Sequence, residues 1–212
     1  TLSFAAFDWM MSLDPKFFST IFGVYWFSGS FMAAFAVIII AARVTRGDRS
    51  QFGAHLSEEH FHALGKFLLA FVAFWAYTAF SQFLLIWIAN VPEEVPWYIL
   101  RIEGGWRPVA VFLALFHFLV PFFLLLSRDL KRNPRVLAWV AGWMLLVHWV
   151  DLYWLVMPHL DAGGPRLSPW DLTAFVGVGG AAVAFLVFRM RGSAPVPVKD
   201  PYLADSLRYL PP

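Results

Sequence analysis

Five long apolar runs separated by short polar segments set the pattern of the chain, at residues 21–42, 67–89, 109–126, 136–157 and 172–188. Each is 17 to 23 residues long. At about 1.5 Å of rise per residue an α-helix of that length covers a hydrocarbon core of roughly 30 Å. None of the runs alternates with the period of two that a strand would need. The pattern predicts an all-α, polytopic integral membrane helix bundle over residues 1–191, with residues 192–212 as an extended, proline-rich tail too polar and too short to bury a core. Thr1 to Leu13 reads as the last turns of a further apolar helix, broken at Asp14 and Pro15, so more chain is expected upstream.

The polar positions inside the runs carry the chemistry. His148 and Asp151 lie three apart in the fourth run, so they share a helix face within reach of each other. An acid and an imidazole at that depth are costly and rarely face lipid. Two readings stand: a hydrogen-bonded pair that pins one helix to its neighbours, or a pair that handles a proton or a ligand near neutral pH. The third run holds His117 and Pro121. In the second, Lys66, Tyr77 and Ser81 fall within about 60° of one another at 100° per residue, and Gln82 follows. That stripe is expected to turn away from acyl chains. The first run is uncharged, and Ser28, Gly29 and Ser30 suit it to close helix packing.

Composition agrees, with 60% hydrophobic and 14% charged residues against roughly 25% charged in an ordinary soluble domain. Zero cysteines exclude disulfides, thiolate-held Fe–S clusters and c-type haem attachment. The formal charge of +2 is a matter of topology, and no nucleic-acid partner is implied. Lysines and arginines number 12 in segments 43–66, 127–135 and 189–212, against 4 in the N-terminal segment and the 90–108 and 158–171 loops. The positive-inside rule therefore makes the first three segments, including the C-terminus, cytoplasmic. Counted from the opposite surface, His117 and His148 both lie roughly 12–14 Å deep. Asp151, Ser81, Gln82, Ser28 and Ser30 fall in the same outer half, whose opposite half is nearly free of polar side chains. The expectation is half of a polar pathway, open outward.

The connectors add detail. Ser57 is placed to cap a helix, with His60 three residues on where a capping box has Glu. The same segment holds His55, and the spacing of His60 and His62, with Glu58 and Glu59 beside them, invites a zinc reading, but an i, i+2 spacing diverges on a helix and no second ligand cluster accompanies it. Trp97, Tyr98 and Trp106 in the 90–108 loop suggest an interfacial aromatic belt.

Seven ordered stretches carry a family resemblance: Phe7-Asp8-Trp9-Met10-Met11-Ser12-Leu13-Asp14-Pro15, Leu64-Gly65-Lys66, Phe74-Trp75-Ala76-Tyr77, Phe80-Ser81-Gln82, Asn90-Val91-Pro92-Glu93-Glu94, Ser127-Arg128-Asp129 and His148-Trp149-Val150-Asp151. Together they resemble the second half of the ActF-type membrane subunit of bacterial alternative complex III, a relative of NrfD and polysulfide-reductase-type membrane subunits. The resemblance implies a multi-pass subunit of the bacterial cytoplasmic (inner) membrane, within a complex that oxidises quinol and passes electrons to cytochrome c or another acceptor. It implies no catalytic residue, cofactor or metal in this chain. Haem c and Fe–S clusters would sit in a multihaem cytochrome c partner and an Fe–S partner, and quinone in a homologous ActC-like membrane partner. A proton half-channel through His117, His148 and Asp151, with Tyr77, Ser81, Gln82 and Lys66 as further members, is one expected role. A purely structural scaffold and a quinone-binding subunit are the alternatives; a free-standing transporter finds no internal repeat among the five runs.

Overall fold

The computed structural model describes residues 1–47, 56–191, 200–203 and 205. In chain order the helices are α1 (Leu2–Trp9), α2 (Phe22–Gly47), α3 (Glu58–Ala89), α4 (Val95–Ile102), α5 (Arg107–Leu113, Ala114–Leu119 and Val120–Leu126), α6 (Arg128–Arg132), α7 (Pro134–Val156) and α8 (Pro169–Met190). The described residues contain no strand. Five helices are long and apolar enough to cross a membrane, so the chain is an all-α bundle of membrane-embedded character.

Local chemistry explains the boundaries. Ser57 and His60 form the expected capping box at the start of α3, the Ser57 backbone N–H donating to His60 Nδ1 at 3.2 Å. Asn90 ends the same helix in a left-handed conformation, φ 46°. Asn133 caps α7 by accepting from the Arg135 and Val136 N–H groups, with Pro134 at the first helical position. Ser168 and Asp171 box the start of α8.

Two differences from the sequence reading concern the connectors. α2 continues to Gly47 and α3 starts at Glu58, so much of the polar 43–66 segment is helix that projects beyond the apolar runs. Within the 90–108 connector α4 folds inward: Trp97 and Trp106 are buried rather than displayed to an interfacial belt. Trp97 stacks on Phe17 with ring centroids 4.3 Å apart, and Trp106 Nε1 donates to the Asp161 carbonyl at 2.8 Å. The Trp106 indole N–H finds its acceptor in the protein, and the Trp97 ring lies between Phe17 and the Arg101 guanidinium, which removes the reason to sit among headgroups. His55 and most of the C-terminal tail lie outside the described residues.

The bundle has two unlike ends. At the basic end α2, α3, α5 and α7 bury an apolar core of Met32, Ile39, Phe61, Leu68, Leu137 and Met144. There Lys131 lies across Gly65, where a Cβ would come within 2.7 Å of its Cγ; burial lowers the ammonium below its usual range, and Lys66 adds repulsion. The opposite end is aromatic, built on Phe17, Phe22, Tyr25, Trp75, Trp97 and Tyr98. α8 stands apart, with none of its apolar span buried.

Candidate functional site

At the boundary between the two ends, α2, α3, α5 and α7 enclose the ionisable groups. α7 is an unbroken helix there, so His148 and Asp151 project from one face, as their spacing predicts. α5 is not regular: Ala114–Leu119 is a π-helical turn that contains His117 and precedes Pro121. Proline has no N–H to return to the His117 carbonyl four residues back, and a π turn is one way a spanning helix absorbs that loss. The wider turn places His117 toward α7. The two imidazoles are near-parallel, with ring centroids 5.7 Å apart, which agrees with the matched depth counted from sequence.

Asp151 is 1% exposed, and its strong bonds come from other helices. Tyr25 of α2 donates its hydroxyl to Oδ1 at 2.5 Å, and Trp75 of α3 donates Nε1–H to Oδ2 at 3.1 Å. His148 Nδ1 stands 3.6 Å from Oδ2, an ion-pair distance beyond hydrogen-bond length. The short O–H···O contact lies in the range of bonds to an ionised carboxylate. His117 is fully buried, edge-on to Trp75 with centroids 3.9 Å apart, and neither ring nitrogen has a hydrogen-bond partner. His148 Nδ1 is likewise unpartnered. A carboxylate fixed by two donors thus faces two imidazoles whose nitrogens remain available to a proton or to water.

Close backbone approach makes room for this. A Cβ at Gly29 would lie 2.5 Å from His148 Cε1, so the imidazole occupies the space a side chain on α2 would fill. Next to it Ser28 and Thr78 pair their hydroxyls across α2 and α3 at 3.3 Å. Ligand atoms of His117, His148 and Asp151, one from each, lie within 4.8 Å of one another, a grouping that could hold a metal ion.

The other residues singled out from sequence divide. Gln82 is buried on the aromatic side with Oε1 unpartnered, beside a cavity of about 360 Å³ that also touches Tyr25, Trp75, Tyr98 and Asp151. Tyr77 is 64% exposed, Lys66 is exposed and Ser81 half-buried. These three lie on the outside of α3 and do not join the cluster. The cavity is on the side expected to hold a polar pathway, yet Ala76, Phe83, Leu113, Phe118 and Trp154 give it an apolar wall. α4 closes over it. Its Arg101, fully buried, lies 3.6 Å over the Trp97 ring and donates to the Trp97 and Leu155 carbonyls at 2.8 and 2.6 Å, which caps the last turn of α7. Burial pushes its guanidinium down to about 9, which leaves it charged at neutral pH. Beside this plug His159 and Asp14 approach to 3.6 Å.

Tyr25 and Trp75 were not singled out from sequence. The signal for Trp75 was present: it is two residues, or 200°, from Tyr77, so only one of the two faces inward. Tyr25 sits a turn before Gly29, against which His148 of α7 packs.

No protein-family model matches the chain, and no curated protein matches it.

Proposed function

We propose that the chain is a membrane subunit of an alternative complex III-like quinol-oxidising complex in the bacterial cytoplasmic membrane, with its C-terminus cytoplasmic, and that His117, His148 and Asp151 form its proton-handling site. One observation carries the site reading: two imidazoles with unpartnered ring nitrogens face a carboxylate whose own bonds are satisfied by Tyr25 and Trp75. The carboxylate supplies a fixed negative charge, and a single proton on either imidazole neutralises the cluster. Passing that proton between His148 and His117 changes which ring is charged without changing the total, so the move avoids the cost of isolating a charge in an apolar interior. Among the described residues the core at the basic end is built of apolar side chains such as Met32, Ile39, Leu68 and Met144, which favours entry and exit by the aromatic side. The redox centres belong to partners under this reading: haem c and Fe–S subunits and an ActC-like subunit that holds quinone.

Isolation of the complex by a tag on this chain, followed by mass spectrometry of its subunits and haem staining, tests the assignment. Co-purifying multihaem and Fe–S subunits are the expected result; a chain isolated alone from gently solubilised membranes would refute it.

The cavity favours a second reading. An apolar, aromatic-walled space of about 360 Å³ with the Gln82 carbonyl oxygen and Asp151 at its polar edge suits the ring of a quinone, whose hydroxyls in the reduced form would donate to those acceptors. Photoaffinity labelling with an azidoquinone separates the two: labelling of Trp97 or Tyr98 supports quinone in this chain, and labelling confined to a partner excludes it.

A further inference from the structure

At the basic end, remote from the His–Asp cluster, α2, α3, α6 and α7 surround a polar recess of about 640 Å³. Among the described residues its walls carry Arg43, Arg46, Arg132 and Arg135 against Glu58 and Asp129. Arg132 is already satisfied, at 2.8 Å from Glu59 and 3.8 Å from Glu58. Arg46 lies over the Phe61 ring at 5.5 Å. The side chains of Arg43 and Arg135 make no ion pair or hydrogen bond among the described residues. Among the described residues, once Arg132 is set against the glutamates, three guanidinium groups face one carboxylate across a recess between the end of α2 and the start of α7. Like charges so gathered repel unless an anion sits among them, and the planar forks of Arg match phosphate oxygens in pairs. The positive N-terminal end of α7 adds to the attraction. Apolar surface continues from the recess into the span along α7, where Val136 and Trp139 follow Arg135, both exposed, with Trp139 one turn along the face of Arg135.

We propose that this recess binds a phosphate-bearing anion, and that in the membrane the ligand is the headgroup of an anionic phospholipid whose acyl chains cover Val136 and Trp139. The site is independent of the proton-handling reading, since it shares no residue with it.

The test uses the purified protein in nanodiscs of phosphatidylcholine, with and without phosphatidylglycerol, and native mass spectrometry of the lipid it retains. Wild type is expected to retain phosphatidylglycerol selectively. Arg43→Gln with Arg135→Gln should weaken retention about 25-fold, at about fivefold per arginine, while Arg43→Lys with Arg135→Lys keeps the charge and most of the binding. Arg166→Gln, on the other side of the bundle, should change nothing. If the double Gln variant is not monodisperse, Arg135→Gln alone, at an exposed position, gives the fivefold readout. Inorganic phosphate distinguishes the sources: an arginine-dependent rise in melting temperature with phosphate in pure phosphatidylcholine, without selective lipid retention, assigns the recess to free phosphate. Equal binding of phosphatidylglycerol and of phosphate by wild type and the Gln variants would overturn the proposal.

Discussion

Replacing Asp151 by Asn removes the fixed charge and little else, and the structure allows its cost to be set out. Oδ1 and Oδ2 each accept one bond, from Tyr25 and Trp75. Asn retains one acceptor oxygen. Trp75 can only donate, so the amide oxygen belongs toward the indole and the NH2 toward Tyr25, whose hydroxyl oxygen can accept once its own proton turns elsewhere. The penalty is then one redirected hydroxyl, at most about 1–3 kcal/mol for a buried donor left unmatched. Asp151→Leu strands both donors and costs up to about twice that. The assay has two arms: the amount of monodisperse protein and its melting temperature, and proton release with turnover by the complex in sealed vesicles. Asn is expected to assemble near wild-type level yet lose proton-linked turnover, whereas Leu loses assembly as well. Wild-type proton release and turnover from a fully assembled Asn variant would refute the proton-handling reading and leave the pair as a structural tie.

Three further outcomes are expected. Gly29→Ala puts a methyl 2.5 Å from His148 Cε1 and should push the imidazole off α2, at about 1–3 kcal/mol of overpacking; a crystal or cryo-EM structure with His148 in place, or unimpaired proton release, would contradict this. Arg101→Met removes a buried cation from the end of α7 along with its bonds to two carbonyls, at about 1–3 kcal/mol per acceptor left unmatched, and should lower the melting temperature by several degrees; an unchanged value would show that the plug does not hold α7. Because the chain has no cysteine, single cysteines at Arg132 and Arg166 report topology cleanly: an impermeant maleimide applied outside intact cells should label position 166 and spare 132, and the reverse would invert the orientation.

The spans were legible because length and hydropathy decide them. The ends of helices were not, since a helix that leaves the apolar layer keeps its backbone bonds while its side chains turn polar, as at Glu58 to Lys66. Prolines at 92 and 96 made 90–108 read as a loop, although Pro96 lies in the first turn of α4, where its missing N–H costs nothing. Pro121 announced an irregularity, but not the π turn that answers it. The meeting of His117 with His148 could be anticipated from depth alone, because two helices crossing one layer expose equal depths to each other. Azimuth could not. The stripe through Lys66, Tyr77 and Ser81 is geometrically sound, yet its facing depends on where α2 and α7 stand around α3, and they stand on the side of Trp75 and Thr78.

That azimuth also changes what the His148–Asp151 pair means. From sequence, the pair reads either as a hydrogen-bonded tie to neighbouring helices or as a pair that handles a proton or a ligand. With Tyr25 and Trp75 holding the carboxylate, the imidazole at 3.6 Å is released from that duty. A structural tie gains from the shortest bond it can make, whereas a relay needs a base whose proton is not locked in a strong bond at either end. Three helices are already tied at Asp151 without a histidine, so a bundle selected only for register would have no use for His117 as well. Burying a second imidazole whose ring nitrogens have no partner beside the first costs desolvation, and under the proposed reading those open nitrogens are what the cluster needs to take up and pass a proton.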